Sequence, residues 1–266
     1  MTLLNHQHRP APFPEAPTLL LIHPMGASLN FWDACLPIWQ QHFGILALDL
    51  RCAGASPCAV APPNLETHVA DIEKLRHVIG LTSIIPIACA VGCMVAASYA
   101  ATHASHVPAM ILSNPTPRTG PAAKEALFAR ADAVRNGGMA TILPGAVERP
   151  FENQPQDARY LAYFSAFAAQ DAAAYAQSVL GFARADASAA FQRLTCPTLL
   201  VPARHDVLLP PALAEECATL MSPKLARIIL DEEGAHFLPY QRPAAFAKLV
   251  LEFLATALPQ DCRKGR

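Results

Sequence analysis

Apolar and polar positions change rhythm along the chain. Thr18–His23 (TLLLIH) is a short, continuous apolar run ending in a Pro/Gly turn. That pattern predicts a central parallel strand buried on both faces. Gly44–Leu50 (GILALDL) repeats it. Between the two, Phe31, Trp32, Leu36, Ile38 and Trp39 recur at helical spacing and predict a helix over 30–41. Leu65–Ile79 predicts a second helix, with Val69, Ile72, Leu75 and Ile79 on one face. The stretch Leu81–Thr102 carries no charge and is long enough to cross a bilayer. Pro86 and Gly92 interrupt it, however, and its residue types shift midway from isoleucine-rich to alanine-rich. It reads as strand, tight turn and buried helix, with Ala109–Ser113 as a fourth strand.

From about residue 120 to 187 no strand-like run occurs. Ala, Phe, Tyr and Arg recur there at helical spacing, punctuated by Gly137-Gly138, Pro144-Gly145 and Pro150. Alternation then returns as a strand at 198–202, a helix at 211–221, a strand at 226–230 and a helix from 243 to about 255. This order predicts an α/β fold, a mostly parallel sheet covered by helices on both faces. The core would comprise residues 1–119 and 188–266, and a helical cap residues 120–187. The polar tail Pro259–Arg266 is expected to fray.

Composition narrows the function. Of 266 residues, 53% are apolar and 15% charged, which excludes a disordered chain. Lys+Arg number 20 and Asp+Glu 21, with no basic stripe, which argues against nucleic acid as a partner. The first residues lack a basic start followed by a long apolar stretch, so no signal peptide is read there. The eight cysteines include no CxxC pair, and several lie in apolar runs. These features predict a cytoplasmic protein with reduced thiols, no metal site, no cofactor and no membrane contact. Its partner would be a small-molecule substrate, and its oligomeric state stays open, a dimer included.

In a parallel sheet the working residues collect at the carboxyl ends of the strands. Four such ends carry candidate chemistry: His23–Ser28 (HPMGAS), Asp49–Ser56 (DLRCAGAS), Ala88–Gly92 (ACAVG), and the distant pair Arg204–Pro210 (RHDVLLP) and Gly234–His236 (GAH). A carboxylate bonded to one imidazole nitrogen fixes the tautomer and leaves the other nitrogen to move protons, so Asp206 with His236 suits general base work.

In order and spacing these motifs resemble the α/β-hydrolase superfamily, from about residue 18 to 256. More narrowly they are similar to the 3-oxoadipate enol-lactonase branch. The likeness there rests on His23–Ser28 followed by Phe31 and Trp32, on Ser113-Asn114, and on Arg130 and Gly137–Met139. The resemblance implies an α/β-hydrolase fold with Asp206 as triad acid and His236 as triad base. It implies an oxyanion hole from the backbone N–H groups of Met25 and Val91, and an activity on small lactones, esters or β-keto carboxylates of aromatic catabolism. The Asp49–Ser56 loop resembles a family turn that braces the site, with Cys52 in place of its first glycine.

One position departs from the family pattern. Setting Gly92 as the last glycine of G-x-S-x-G puts Ala88 at the first and Ala90 at the nucleophile. Strand alternation would point the Cys89 thiol away from Ala90. Cys93, in the first helical turn, would lie near the site as a nucleophile or substrate contact, although a packing role fits both cysteines. Arg130, Arg135 and Arg204 are candidate holders of a substrate carboxylate, Arg130 foremost. Three functions stay open: an enzyme using the Asp-His dyad and oxyanion hole without a serine nucleophile, a serine hydrolase whose serine was replaced at residue 90 by engineering, and a non-catalytic ligand-binding homologue. A lyase on the same fold belongs with the first.

Overall fold

The computed structural model describes residues 2–13, 16–58 and 61–258. The strands are β1 (His6–Arg9), β2 (Thr18–Ile22), β3 (Gly44–Leu48), β4 (Ile84–Cys89), β5 (Met110–Ser113), β6 (Thr198–Val201) and β7 (Ala226–Ile228), of which β2 to β6 are the apolar runs. They make one sheet in the order β1-β3-β2-β4-β5-β6-β7, parallel except for β1. From β2 the chain steps outward to β3 and then returns to β4 on the other side. The order therefore reverses between β2 and β4, the place where open α/β sheets form a crevice.

The helices are α1 (Leu36–Trp39), α2 (Leu65–Ile79), α3 (Gly92–Thr102), α4 (Pro121–Gly137), α5 (Gly145–Glu148), α6 (Ala158–Ala168), α7 (Ala172–Phe182), α8 (Ser188–Gln192), α9 (Ala212–Leu220), α10 (Leu238–Gln241) and α11 (Pro243–Ala257). Asn64 caps α2 by accepting the Thr67 N–H, and Gly80 ends the helix in the left-handed region. Strand side chains alternate between two cores. Leu19, Leu21, Ile45, Ile85, Ile87 and Leu199 join the one beneath α6, α7 and α11. Leu20, Ile22, Leu46, Ile84, Met110 and Leu200 join the one beneath α2 and α3. The runs read as continuously apolar because both faces are covered.

Helices α4 to α8 lie between β5 and β6, and α4 to α7 form one excursion. Its two ends are pinned together by an antiparallel bridge between Arg118 and Asp186, where Thr119 N–H donates to Ala185 O (2.9 Å) and Ala187 N–H to Pro117 O (2.8 Å).

Three expectations change, and the reading of residues 81–102 holds. The helix over 30–41 is a 3-10 turn at Leu29–Trp32 followed by α1. Pro37 lies in the first turn of α1 and has no N–H to continue a longer helix, so it opens a new one. Strand β1 was not expected, because His6–Arg9 is polar and alternation cannot be seen in it; it pairs as an edge with β3. Residues 81–102 divide into β4 and α3, and no helix among the described residues is long and apolar enough to cross a membrane. Finally, Cys52 and Cys58 are joined in a disulfide, so not every thiol is reduced. The turns at residues 51–56 fold the chain back until their Cα atoms lie 4.2 Å apart. Cys35, Cys89, Cys93, Cys196 and Cys217 are free and buried. Cys262 and the tail from Pro259 lie outside the described residues.

Candidate active site

The crevice at the strand-order reversal is built first by the turn from β4 into α3. Ala90 holds φ +52, a left-handed conformation that is unfavourable for a residue with a side chain. Its N–H donates to Ser113 O (3.0 Å) and its carbonyl accepts from Cys93 N–H (3.0 Å), fixing it to β5 and to α3. Gly92 lies where a Cβ would come within 2.9 Å of His23 O and 3.0 Å of Ile22 O, so only glycine lets α3 start this close to β2. Strand, strained turn and helix thus have the geometry of a nucleophile elbow, with a methyl group at its apex.

The second part comes from the ends of β6 and β7. His236 Nδ1–H donates to Asp206, at 2.9 Å from Oδ2 and 3.1 Å from Oδ1. The carboxylate also accepts the N–H groups of Leu208 and Leu209 at Oδ1 (both 2.8 Å) and Asn114 Nδ2 at Oδ2 (2.7 Å). Burial pushes the Asp206 carboxyl up, but the attraction of His236 and these hydrogen bonds outweigh it and leave the group below the ordinary aspartate range. His236 is 9% exposed, and among the described residues no protein group takes its Nε2. An imidazole anchored on one nitrogen and open on the other is equipped to take a proton from water or substrate.

The third part is the loop after β2. His23 is locked as a neutral ring: its Nδ1–H donates to Pro24 O (2.8 Å) and its Nε2 accepts Leu50 N–H (2.9 Å). Met25 and Val91 are both partly exposed, and no protein acceptor among the described residues takes either N–H. Two free amides flanking the elbow can hold a developing oxyanion. The next residue, Gly26 (φ +77), is clamped by α6 and the residues that follow it. Its carbonyl accepts Gln170 Nε2 (2.8 Å) and the Tyr163 hydroxyl (3.2 Å). Phe167 lies so near that a Cβ on Gly26 would meet its ring at 2.5 Å. Behind this clamp a cavity of about 580 Å³ opens between the loop, residues Cys52–Gly54 and helices α6 and α7, lined also by Tyr163, Gln170 and Tyr175. Ala90 and His236 do not line it.

The remaining candidates part company. Arg130 is half-buried and faces inward beside the buried hydroxyls of Tyr163 and Tyr175. Burial raises the Tyr175 phenol and Arg130 draws it partly back; the hydroxyl has no well-aligned hydrogen-bond partner. Arg135 is exposed, and Arg204 pairs with Glu232 in solvent (2.8 Å). Cys93 does not reach the site. It is fully buried in the core beneath α2 and α3, its thiol directed at Ser113 O (3.3 Å). Cys89 packs on the same side as Ala90, because the left-handed turn ends strand alternation there; its thiol approaches His236 O (3.6 Å). Burial pushes both thiols well above the ordinary cysteine range, so neither is an available thiolate. No group of three or more His, Cys, Asp or Glu that could hold a metal occurs among the described residues.

Three participants escaped the sequence reading as site residues. Asn114 (φ +49) follows β5 and donates to Asp206; the sequence marked it only as part of the Ser113-Asn114 motif, with no role attached. Gln170 and Tyr163 reach Gly26 across more than 130 residues, and no local pattern marks them. The Asp49 carboxylate ties its own loop to neighbouring segments: Oδ1 accepts Leu29 N–H (2.7 Å), and Oδ2 accepts Asn5 Nδ2 (2.7 Å) and Ala55 N–H (2.9 Å).

Comparison with known proteins follows the same lines. The enol-lactonase from Burkholderia xenovorans LB400 superposes with a TM-score of 0.87 at 23% identity, covering 95% of this chain and 96% of that one. A thermophilic esterase from Thermogutta terrifontis, solved with malate bound, gives 0.85 at 22% identity, covering 96% and 93%. The Escherichia coli O157:H7 protein named "Putative carbamate hydrolase RutD" is 24% identical over 260 residues, 94% of this chain and 95% of that protein. A family model for the alpha/beta hydrolase fold matches residues 17–243. With that match over most of its length and the reversed strand order, the chain belongs to the alpha/beta hydrolase fold family.

Proposed function

We propose that this protein is an enzyme acting on a small lactone, ester or β-keto carboxylate through the Asp206–His236 dyad, without a serine nucleophile. In a hydrolysis, His236 Nε2 takes a proton from water as the oxygen adds to the substrate carbonyl carbon. Asp206 stays ionised and stabilises the imidazolium. The N–H groups of Met25 and Val91 hold the resulting oxyanion. When the intermediate collapses, His236 returns the proton to the leaving alkoxide. The same oxyanion hole suits an enolate if the reaction is a lyase step. Arg130, beside the open Tyr175 hydroxyl, supplies a cation and a donor for a substrate carboxylate. Cys93 drops out as a substrate contact.

The observation that carries this reading is an anchored His236, kept with its acid and two open amides, beside an elbow whose apex is alanine. A chain that only binds a ligand has no use for an aligned acid–base pair. The names of the relatives, enol-lactonase, esterase and carbamate hydrolase, point to carbonyl chemistry of this kind. A second reading, a serine hydrolase with its serine replaced at residue 90, draws support from the strain kept at Ala90, which a methyl group does not need.

One experiment separates the two. The protein and its Ala90→Ser variant are assayed on a panel of small lactones, esters, carbamates and β-keto acids, with a fluorophosphonate probe alongside. Turnover by the Ala90 form that is unchanged or falls on adding the serine supports the serine-free mechanism. A gain of about 10³-fold or more with stoichiometric labelling of the new serine rejects it.

A further inference from the structure

The Cys52–Cys58 disulfide does little for global stability by its length alone. It spans a sequence separation of 6, and so short a loop restricts the unfolded chain least. A 266-residue chain with two full cores also needs no staple. Its location is more informative. Cys52, Ala53 and Gly54 form one wall of the cavity behind the Gly26 clamp. Cys52 holds φ +63, a left-handed conformation that costs a non-glycine residue energy, and its N–H donates to Pro57 O (3.2 Å). The same loop is fastened to the Leu29 turn through the Asp49 carboxylate, against which Gly54 packs with no room for a Cβ. A covalent bond, a strained residue and a cavity wall thus coincide. Cys52 is buried, whereas Cys58 is exposed.

We propose that Cys52–Cys58 is a thiol–disulfide exchange site, opened by dithiols at Cys58, whose redox state sets how firmly the cavity wall is held against the loop after β2. A thiolate of the dithiol attacks the exposed Cys58 Sγ and breaks the S–S bond. Cys52 leaves as a thiolate and takes a proton. The second thiol of the reductant then displaces Cys58 from the mixed disulfide, so two electrons and two protons pass to the cysteine pair and the dithiol departs oxidised. With the bond open, nothing covalent holds Cys52 left-handed, and residues 52–54 relax away from the wall position.

The test treats the intact protein with dithiothreitol under native conditions. Accessible thiols are then alkylated with N-ethylmaleimide and assigned by peptide mass mapping, with amide hydrogen exchange measured in parallel. Before reduction Cys52 and Cys58 should resist alkylation. After it both should be labelled, while Cys35, Cys89, Cys93, Cys196 and Cys217 stay protected. Exchange at Leu29, Cys52 and Ala55 should quicken by about tenfold or more, with β4 and β6 unchanged. A Cys52→Ser/Cys58→Ser variant should exchange at the fast rate without dithiothreitol and not respond to it. The proposal fails if both cysteines label without reductant, if the bond survives native dithiothreitol, or if reduction leaves exchange at Leu29 and Ala55 as it was.

Discussion

Two buried histidines stand at the carboxyl edge of the sheet, His23 on the β2 side and His236 on the β7 side. Both ring nitrogens of His23, Nδ1 and Nε2, are taken by backbone groups of Pro24 and Leu50. His236 is bonded at Nδ1 alone, to a carboxylate. The regions around them differ in the same sense. On the β2–β4 side everything shapes backbone: the locked His23, the Gly92 contact, the strained Ala90 and the clamped Gly26. On the β6–β7 side side chains meet side chains, and Asn114, Asp206 and His236 form a chain whose last nitrogen is unused. One ring is held on both nitrogens and the other keeps one nitrogen free, and what a buried ring can do follows from the bonding capacity left over.

The largest effect expected is kinetic. His236→Ala should lower kcat by about 10³-fold or more on whichever substrate of the panel the protein turns over. Its melting temperature should move little, because Asp206 keeps Asn114, Leu208 and Leu209 as donors. A folded His236→Ala protein with the original rate breaks the comparison at once. The mirror substitution, His23→Ala, should act on stability instead. It leaves Leu50 N–H and Pro24 O unpaired beside a cavity and should cost about 3 kcal/mol in urea unfolding.

A third buried histidine sharpens the contrast. His68, stacked on Phe182 with centroids 5.4 Å apart, has neither nitrogen hydrogen-bonded among the described residues. Burial above all, with His23 and Arg51 nearby, pushes its pKa from 6.5 to about 3. The folded state therefore stays neutral while the unfolded chain takes up a proton below pH 6.5. Stability is unaffected by this group above that pH and falls as pH drops towards about 3, by up to about 1.4 kcal/mol per pH unit. His68→Phe keeps a ring on Phe182 and removes the titration. The loss of unfolding free energy from pH 7.5 to pH 5 should shrink by up to about 2 kcal/mol. An unchanged pH slope would show that His68 is already charged when folded.

Asn114→Ala tests whether the β6–β7 chain works as a unit. Removing the amide that fixes Asp206 Oδ2 should cost about tenfold in kcat, about 1.4 kcal/mol, with KM little altered. An effect on KM alone would place Asn114 in binding. The smallest effect expected is at the clamp. Gln170→Leu removes one of two donors to Gly26 O and should cost about 1 kcal/mol of stability, read by thermal unfolding.

Much of this frame is legible along the chain. Helix α2 runs over Leu65–Ile79 as its apolar spacing and caps dictate, because both signals are local. The buried strands announce themselves as apolar runs, and the strand-free interval between β5 and β6 is visible as a change of period. The acid and the histidine can be matched across 30 residues because each follows its own strand. By contrast, β1 is polar and becomes a strand only by completing the edge of β3. Pro37 broke a helix that apolar spacing alone had joined.

What the sequence by itself determined is the order of strands and helices, the strand ends where chemistry can collect, and the absence of a hydroxyl at residue 90. Tertiary structure alone decided how Cys89 and Cys93 are buried, that Cys52 and Cys58 meet, that Asn114 steadies Asp206, and that Gln170 and Tyr163 hold Gly26. The first group follows from periodicity and turn chemistry within a few residues. The second depends on directions and distances between segments far apart in the chain, which exist only once the two cores have closed over the sheet.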